Sequence, residues 1–140
     1  MVDRDILLAK IASIRKCLER IRTVTGRVSE SLNDPDMQDI FVLNLQRAVQ
    51  AAIDLAAHQV ADEKIGLPTN LKENFALLES RQIIDAQLSK RLQAMVGFRN
   101  IAVHDYQQLD LIILKSILEH RLGDLDEFVQ VITKRHHNFT

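Results

Sequence analysis

Tryptophan is absent, and tyrosine and cysteine occur once each, as Tyr106 and Cys17. With no Trp and one Tyr, the core must be built from Leu, Ile, Val and Ala, and four glycines with two prolines leave little material for tight turns. Such a composition favours helices over β-structure. A lone cysteine cannot close an internal disulfide and fits a reducing compartment. No stretch approaches the roughly 18 consecutive apolar residues of a membrane span. Asp3, Arg4, Asp5 and Lys10 interrupt the apolar pattern at the start, where a signal peptide would run unbroken. The expectation is one soluble, cytoplasmic domain over 1–140, without membrane association.

An excess of positive charge is also missing. The formal net charge is −1, which excludes the globally basic proteins that hold nucleic acid by counterion release. A nucleic acid would have to be met by a local patch. Residues 1–27 offer one, with seven basic side chains against three acidic, a local balance of +4.

What is present is helical periodicity. Leu7, Ile11, Ile14, Leu18 and Ile21 recur at spacings of 4, 3, 4 and 3, one stripe on a helix over about 3–24. Gly26 suits the left-handed residue that closes it, and 29–34 reads as loop. Asp34-Pro35 opens a second helix, to about 61, with two adjoining apolar stripes: Phe41, Leu45, Ala48, Ala52, Leu55 and Val42, Val49, Ile53, Ala56, Val60. Two stripes imply a central helix or a subunit interface. Its other side carries Asn44, Arg47, Asp54 and His58 within an arc of about 80°. Either this face is exposed, with Arg47, Asp54 and His58 in a hydrogen-bonded set, or the arc faces the active site.

Asn70 and Glu73 make a capping-box-like start for a short third helix ending near Ser80. Asp85 caps a fourth, whose Leu88, Leu92, Met95 and Val96 face the core. A fifth is expected over about 110–135, on a stripe from Leu111 to Ile132 widened by Ile113, Ile117 and Phe128. The fold class is therefore all-α: an antiparallel up-and-down bundle of four long helices and a short one.

Between the last two helices the text changes. Arg99, Asn100, His104, Asp105 and the sole tyrosine fall within eight positions. On an ideal helix Arg99 and His104, five apart, diverge by about 140°. Either the helix breaks near 102–105, or the two belong to different clusters. Elsewhere there is no Gly-rich phosphate loop, Cys/His ligand set or nucleophile motif. His120 reads as solvated or interfacial, and the adjacent His136 and His137 cannot complete a metal site alone. Neither cofactor nor metal is expected.

Arg99-Asn100-Ile101-Ala102-Val103-His104 resembles the Arg-X4-6-His signature of the HEPN superfamily, and with Asp105-Tyr106 it is similar to the Arg-X4-His-X-Tyr form of HepT-type toxins. Similar stretches are Leu43-Asn44-Leu45-Gln46-Arg47-Ala48, Ala52-Ile53-Asp54-Leu55-Ala56-Ala57-His58 and Gly66-Leu67-Pro68, so that the resemblance covers about 4–132. It implies a homodimeric helical bundle, able to assemble further with its antitoxin, that cuts RNA without a metal. Arg99 and His104 would be catalytic, with Asn100 in support. It also implies a minimal nucleotidyltransferase antitoxin that transfers AMP to Tyr106. The chemistry of the residues agrees. An imidazole titrates near neutrality and can take or give a proton, while a guanidinium offers a permanent forked cation to phosphate oxygens. The alternative is a non-catalytic nucleotide-binding or partner-docking module beside a nucleotidyltransferase, which would have no use for an intact Arg/His pair.

Overall fold

Aspartate side chains open four of the helices. In the structure, a computed structural model that describes residues 3–136, Asp3 accepts hydrogen bonds from the N–H groups of Asp5 and Ile6 at 3.0 and 3.2 Å and starts α1 (Arg4–Thr25). Asp34 takes the Asp36 N–H at 2.8 Å, with Pro35 in the first turn, and starts α2 (Pro35–Asp62). Asp85 takes the Leu88 N–H at 2.7 Å for α4 (Ala86–His104), and Asp110 the Ile112 N–H at 2.8 Å for α5 (Leu111–His120). Each carboxylate satisfies a donor that the first helical turn leaves orphaned, worth about 1 kcal/mol. The short α3 (Glu73–Ser80) starts where Asn70 accepts from the Glu73 N–H at 2.9 Å, while the Glu73 carboxylate reaches back to Thr69. Gly26 closes α1 in the left-handed region, at φ 61°.

All ten residues of the two α2 stripes are buried. α1, α3, α4 and α6 (Leu122–Arg135) pack around this central helix, and the buried residues form one core cluster. By length and composition alone α2 could cross a membrane. Here its apolar faces are taken up by the other helices of its own chain. No strand occurs among the described residues, so the all-helical expectation holds.

Two elements differ from expectation. Residues 29–34 are not loop: Ser29–Asn33 form a 3₁₀ turn with Leu32 fully buried, and α5 packs on it. The expected fifth helix is two, α5 and α6, with a kink at Arg121 (φ −117°, ψ −13°). Backbone bonding almost continues through it, since the Arg121 N–H still reaches Ile117 at 2.9 Å, and α6 consequently has no side-chain cap. The kink has a packing cause: α5 must lie on the 3₁₀ turn while α6 covers α1, α2 and α4, which no straight helix can do. It also turns Ile113, expected in the core, out to solvent.

The end of α6 is tied to the end of α2. Arg135 Nε donates to Glu63 at 2.6 Å and the His136 ring meets the buried Gln59 side chain at 2.7 Å. The hydrogen bond from Arg135 holds the Glu63 carboxyl below its ordinary range, whereas burial lowers the basicity of His136. His120 is exposed, as expected, and His137 lies outside the described residues.

Phe128 on α6 is fully buried and meets Phe75 of α3 edge to face, with centroids 5.5 Å apart. Phe128→Ala is expected to cost about 3–5 kcal/mol of unfolding free energy in a urea titration, the range for a truncated core aromatic. A loss below about 1 kcal/mol would mean that α6 is not packed on this core.

Candidate active site

α4 carries the candidate residues on its last two turns. It stays helical through His104, and the break comes one residue later: Asp105 leaves the helix (φ −152°, ψ 71°) while its N–H closes the last turn on Ile101 at 2.8 Å. Tyr106–Gln108 form a 3₁₀ turn that leads the chain into Asp110 and α5. The break lies at the far edge of the expected segment, so Arg99 and His104 remain on one continuous helix and diverge by about 140° around its axis.

Asn100 stands between them. It follows Arg99 directly and precedes His104 by four residues, the spacing that puts two side chains on the same helix face. Arg99 Nη1 donates to Asn100 Oδ1 at 3.0 Å, which draws the guanidinium toward the His104 side. Arg99 is half-buried, and its Nε is buried without a partner among the described residues. The His104 ring is exposed and makes no hydrogen bond or ion pair among them. A guanidinium with donors to spare and a free imidazole are thus presented on one helix end.

Tyr106 is half exposed, and its hydroxyl donates a short hydrogen bond to the carboxylate of Asp39 on α2. Burial, this bond and the Asp39 charge push its pKa up to about 12. Nothing in the sequence pointed to Asp39, which is 67 residues away in the chain. Lys72 is a second residue that the sequence did not flag. Its ammonium lies where a Cβ on Gly97 would come within 3.5 Å, and with Asn100 it lines a cavity of about 470 Å³ beside α4.

The expected Arg47/Asp54/His58 hydrogen-bond set does not form. Asp54 pairs with Lys10 at 3.1 Å and accepts from Gln50 at 3.0 Å, and His58 Nε2 accepts the Asp3 N–H at 3.2 Å. Arg47 is exposed and, with Asp54 and Asn44, lines a groove of about 1020 Å³ between α1 and α2. Lys10, Lys16 and Arg20 of α1 line its other wall, so part of the basic run near the N-terminus faces this groove. Another part is neutralised: Arg22 pairs with Asp126 at 2.6 Å. Cys17 is half-buried in the same groove, and burial raises its pKa, as suits an unreactive thiol. Among the described residues no cluster of His, Cys, Asp or Glu could hold a metal ion.

An α-helical bundle that presents an Arg/Asn/His set at a helix end, with a tyrosine in the following turn, has the architecture of HEPN ribonucleases. Residues 14–132 match the Ribonuclease HepT-like family, and the chain belongs to that family. It is similar to the mRNA nuclease HepT of Shewanella oneidensis, 43% identical over 128 residues that cover 91% of this chain and 96% of the relative. It is also similar to the tRNA nuclease HepT of Aphanizomenon flos-aquae, 36% identical over 110 residues, or 78% and 75% of the two chains. Among solved structures, the tri-AMPylated Shewanella oneidensis HEPN toxin in complex with MNT antitoxin matches with a TM-score of 0.87 at 42% identity, over 93% of this chain and 98% of that one.

Tyr106 is the only tyrosine and tryptophan is absent, so the tyrosinate absorbance band reads this one hydroxyl. The folded protein is expected to titrate at about 12, and Asp39→Asn to move the midpoint toward the ordinary value near 10. Because the folded-state pKa is raised, the stability contributed by the pair is complete below pH ~10 and is lost as pH rises toward ~12. A midpoint near 10 in protein shown by circular dichroism to be folded would mean that the hydroxyl does not hold Asp39 in solution.

Proposed function

We propose that this chain is a toxin that cuts RNA by metal-independent transphosphorylation, and that AMP transfer to Tyr106 by a minimal nucleotidyltransferase antitoxin switches it off. The observation that carries this reading is the placement of Arg99, Asn100 and His104 on the open end of α4, with Tyr106 in the turn that follows directly. One imidazole takes the proton from a ribose 2′-hydroxyl, O2′ attacks the phosphorus, and a second imidazole protonates the departing O5′. The guanidinium of Arg99, oriented by Asn100, meets the charge that grows on the phosphoryl oxygens. The products are a 2′,3′-cyclic phosphate and a 5′-hydroxyl. RNA as substrate puts the work of the protein in the cytoplasm.

Acid and base roles require two imidazoles, and one chain presents one at this site. A homodimer in which two α4 ends face each other supplies the second. The surface beside the site favours it: Ile101 and Val103 on the last turns of α4 and Ile112 and Ile113 on the first turn of α5 are exposed, Ile112 to 76%. Uncovered apolar side chains clustered around a polar site mark an interaction surface. Phosphates along the RNA strand find further cations in Lys72 and in the α1/α2 groove, where Arg47 stands opposite Lys16 and Arg20. Asp54 lines that groove but holds Lys10, and His58 does not line it, its ring accepting the Asp3 N–H at the start of α1.

AMP on Tyr106 brings a phosphate anion to within two residues of His104 and within reach of the Arg99 cation, and it fills the approach to both. The Shewanella relative is seen AMPylated and bound to an MNT antitoxin, which is the same arrangement of parts. A purely binding module would leave the half-buried guanidinium and the free imidazole without a role.

In EDTA the unmodified protein is expected to cleave RNA. Arg99→Ala should lose about 10²–10³ in rate and His104→Ala at least about 10², with both variants folded by circular dichroism. Absence of cleavage by the folded, AMP-free parent, or products with a 5′-phosphate, would refute this mechanism. Separately, Ile112→Asp with Ile113→Asp should convert dimer to monomer by light scattering and abolish cleavage, and a monomeric double variant of full activity would remove the dimer from the mechanism.

A further inference from the structure

The Asp39–Tyr106 pair does not look like a device for stability. Both side chains are exposed, and a solvated hydrogen bond between two surface groups contributes little to folding. Asp39 makes no salt bridge among the described residues, and Tyr106 is its one side-chain hydrogen-bond partner there. Its carboxylate is thus unneutralised, held by α2 and aimed at the only phenolic oxygen of the chain. Tyr106 itself is 45% exposed, so its side chain can be approached from outside.

We propose that Asp39 is the general base for AMP transfer to Tyr106, so that the acceptor chain itself supplies the carboxylate that takes the phenolic proton. This rests on Tyr106 being the AMP acceptor. In the step, Tyr106 Oη forms a bond to the α-phosphorus of a nucleoside triphosphate carried by the transferase. The bond from that phosphorus to the bridging oxygen breaks, pyrophosphate leaves with the electron pair, and the proton on Oη passes to Asp39. A carboxylate is far too weak a base to ionise a phenol beforehand. It becomes adequate as the O–P bond forms, because the oxygen then loses electron density and its proton turns acidic. A catalytic aspartate acts on substrate hydroxyls in protein kinases by the same logic. The hydrogen bond already in place satisfies the geometric requirement for a base.

The test is single-turnover transfer of α-labelled AMP from ATP onto this chain by its partner nucleotidyltransferase, in the purified complex, for parent, Tyr106→Phe, Asp39→Asn and Asp39→Ala. Asn keeps an oxygen that can accept from the tyrosine hydroxyl and keeps the shape, but cannot take a proton at neutral pH. Asp39→Asn and Asp39→Ala are both expected to slow the first transfer by about 10²-fold. The parent rate should be flat between about pH 6 and 9, while the Asp39→Asn rate should climb about tenfold per pH unit, as the phenolate replaces the missing base. A normal rate in Asp39→Asn, with Tyr106→Phe unlabelled, would overturn the role of Asp39 and leave the acceptor intact. A slow but pH-independent Asp39→Asn would overturn it too, by making the loss one of position. Label on Tyr106→Phe at the parent rate, or no label on the parent, would overturn the acceptor assignment and this proposal with it.

Discussion

α2 is apolar on two adjoining faces, and the rest of the molecule is arranged to cover them. A helix with one stripe can lie on a surface, but one with two must be enclosed. α1 lies along it, α3, α4 and α6 close the remaining sides, and small residues such as Ala48, Ala52 and Ala56 let these neighbours come close. The kink between α5 and α6 follows from the same demand, because the chain has to cover both the body of the bundle and the buried 3₁₀ turn that leads into α2. The bond from Arg135 to Glu63 fastens the last helix onto the end of the first one to be covered.

Enclosing α2 fixes where the chemistry can sit. α4 packs on α2, α3 and α6 and buries Leu88, Leu92, Met95, Val96 and Ala102, while Arg99 and Asn100 stay half-buried and His104 exposed on its last turns. On the proposed mechanism one chain presents one of the two imidazoles that acid and base catalysis need. Pairing of two copies is a geometric remedy, and the exposed isoleucines at the start of α5 stand where such a contact would begin. The first turns of α2 carry Asp39 to the turn after α4, so the helix that organises the core also reaches the Tyr106 hydroxyl.

The control proposed above works through electrostatics and access, without unfolding anything. The Tyr106 oxygen lies on a short 3₁₀ turn outside the core, and Arg99, Asn100 and His104 stand on the adjacent helix end. A fold held by α2 can therefore be active or silenced with the same packing.

Much of this was legible in the residues. The aspartate caps at positions 34 and 85, the glycine that ends α1, the double stripe of α2 and the polar segment 99–106 are local signals, since each depends on neighbours within one or two helical turns. The kink at Arg121, the 3₁₀ turn at Ser29–Asn33, the exposure of Ile113 and the helicity kept through His104 came from packing between elements, which periodicity along one helix does not encode. The same holds for the polar side of α2. Its spacing placed Arg47, Asp54 and His58 on one arc, but the proximity of α1 gave Asp54 to Lys10 and His58 to the start of the chain. The sequence by itself determined the helical class, most of the helix starts and the one short segment, 99–106, in which polar side chains crowd a helix end. Only the tertiary structure decided that Asp39 meets Tyr106, because that contact joins residues 67 apart and exists only once α2 and α4 have packed.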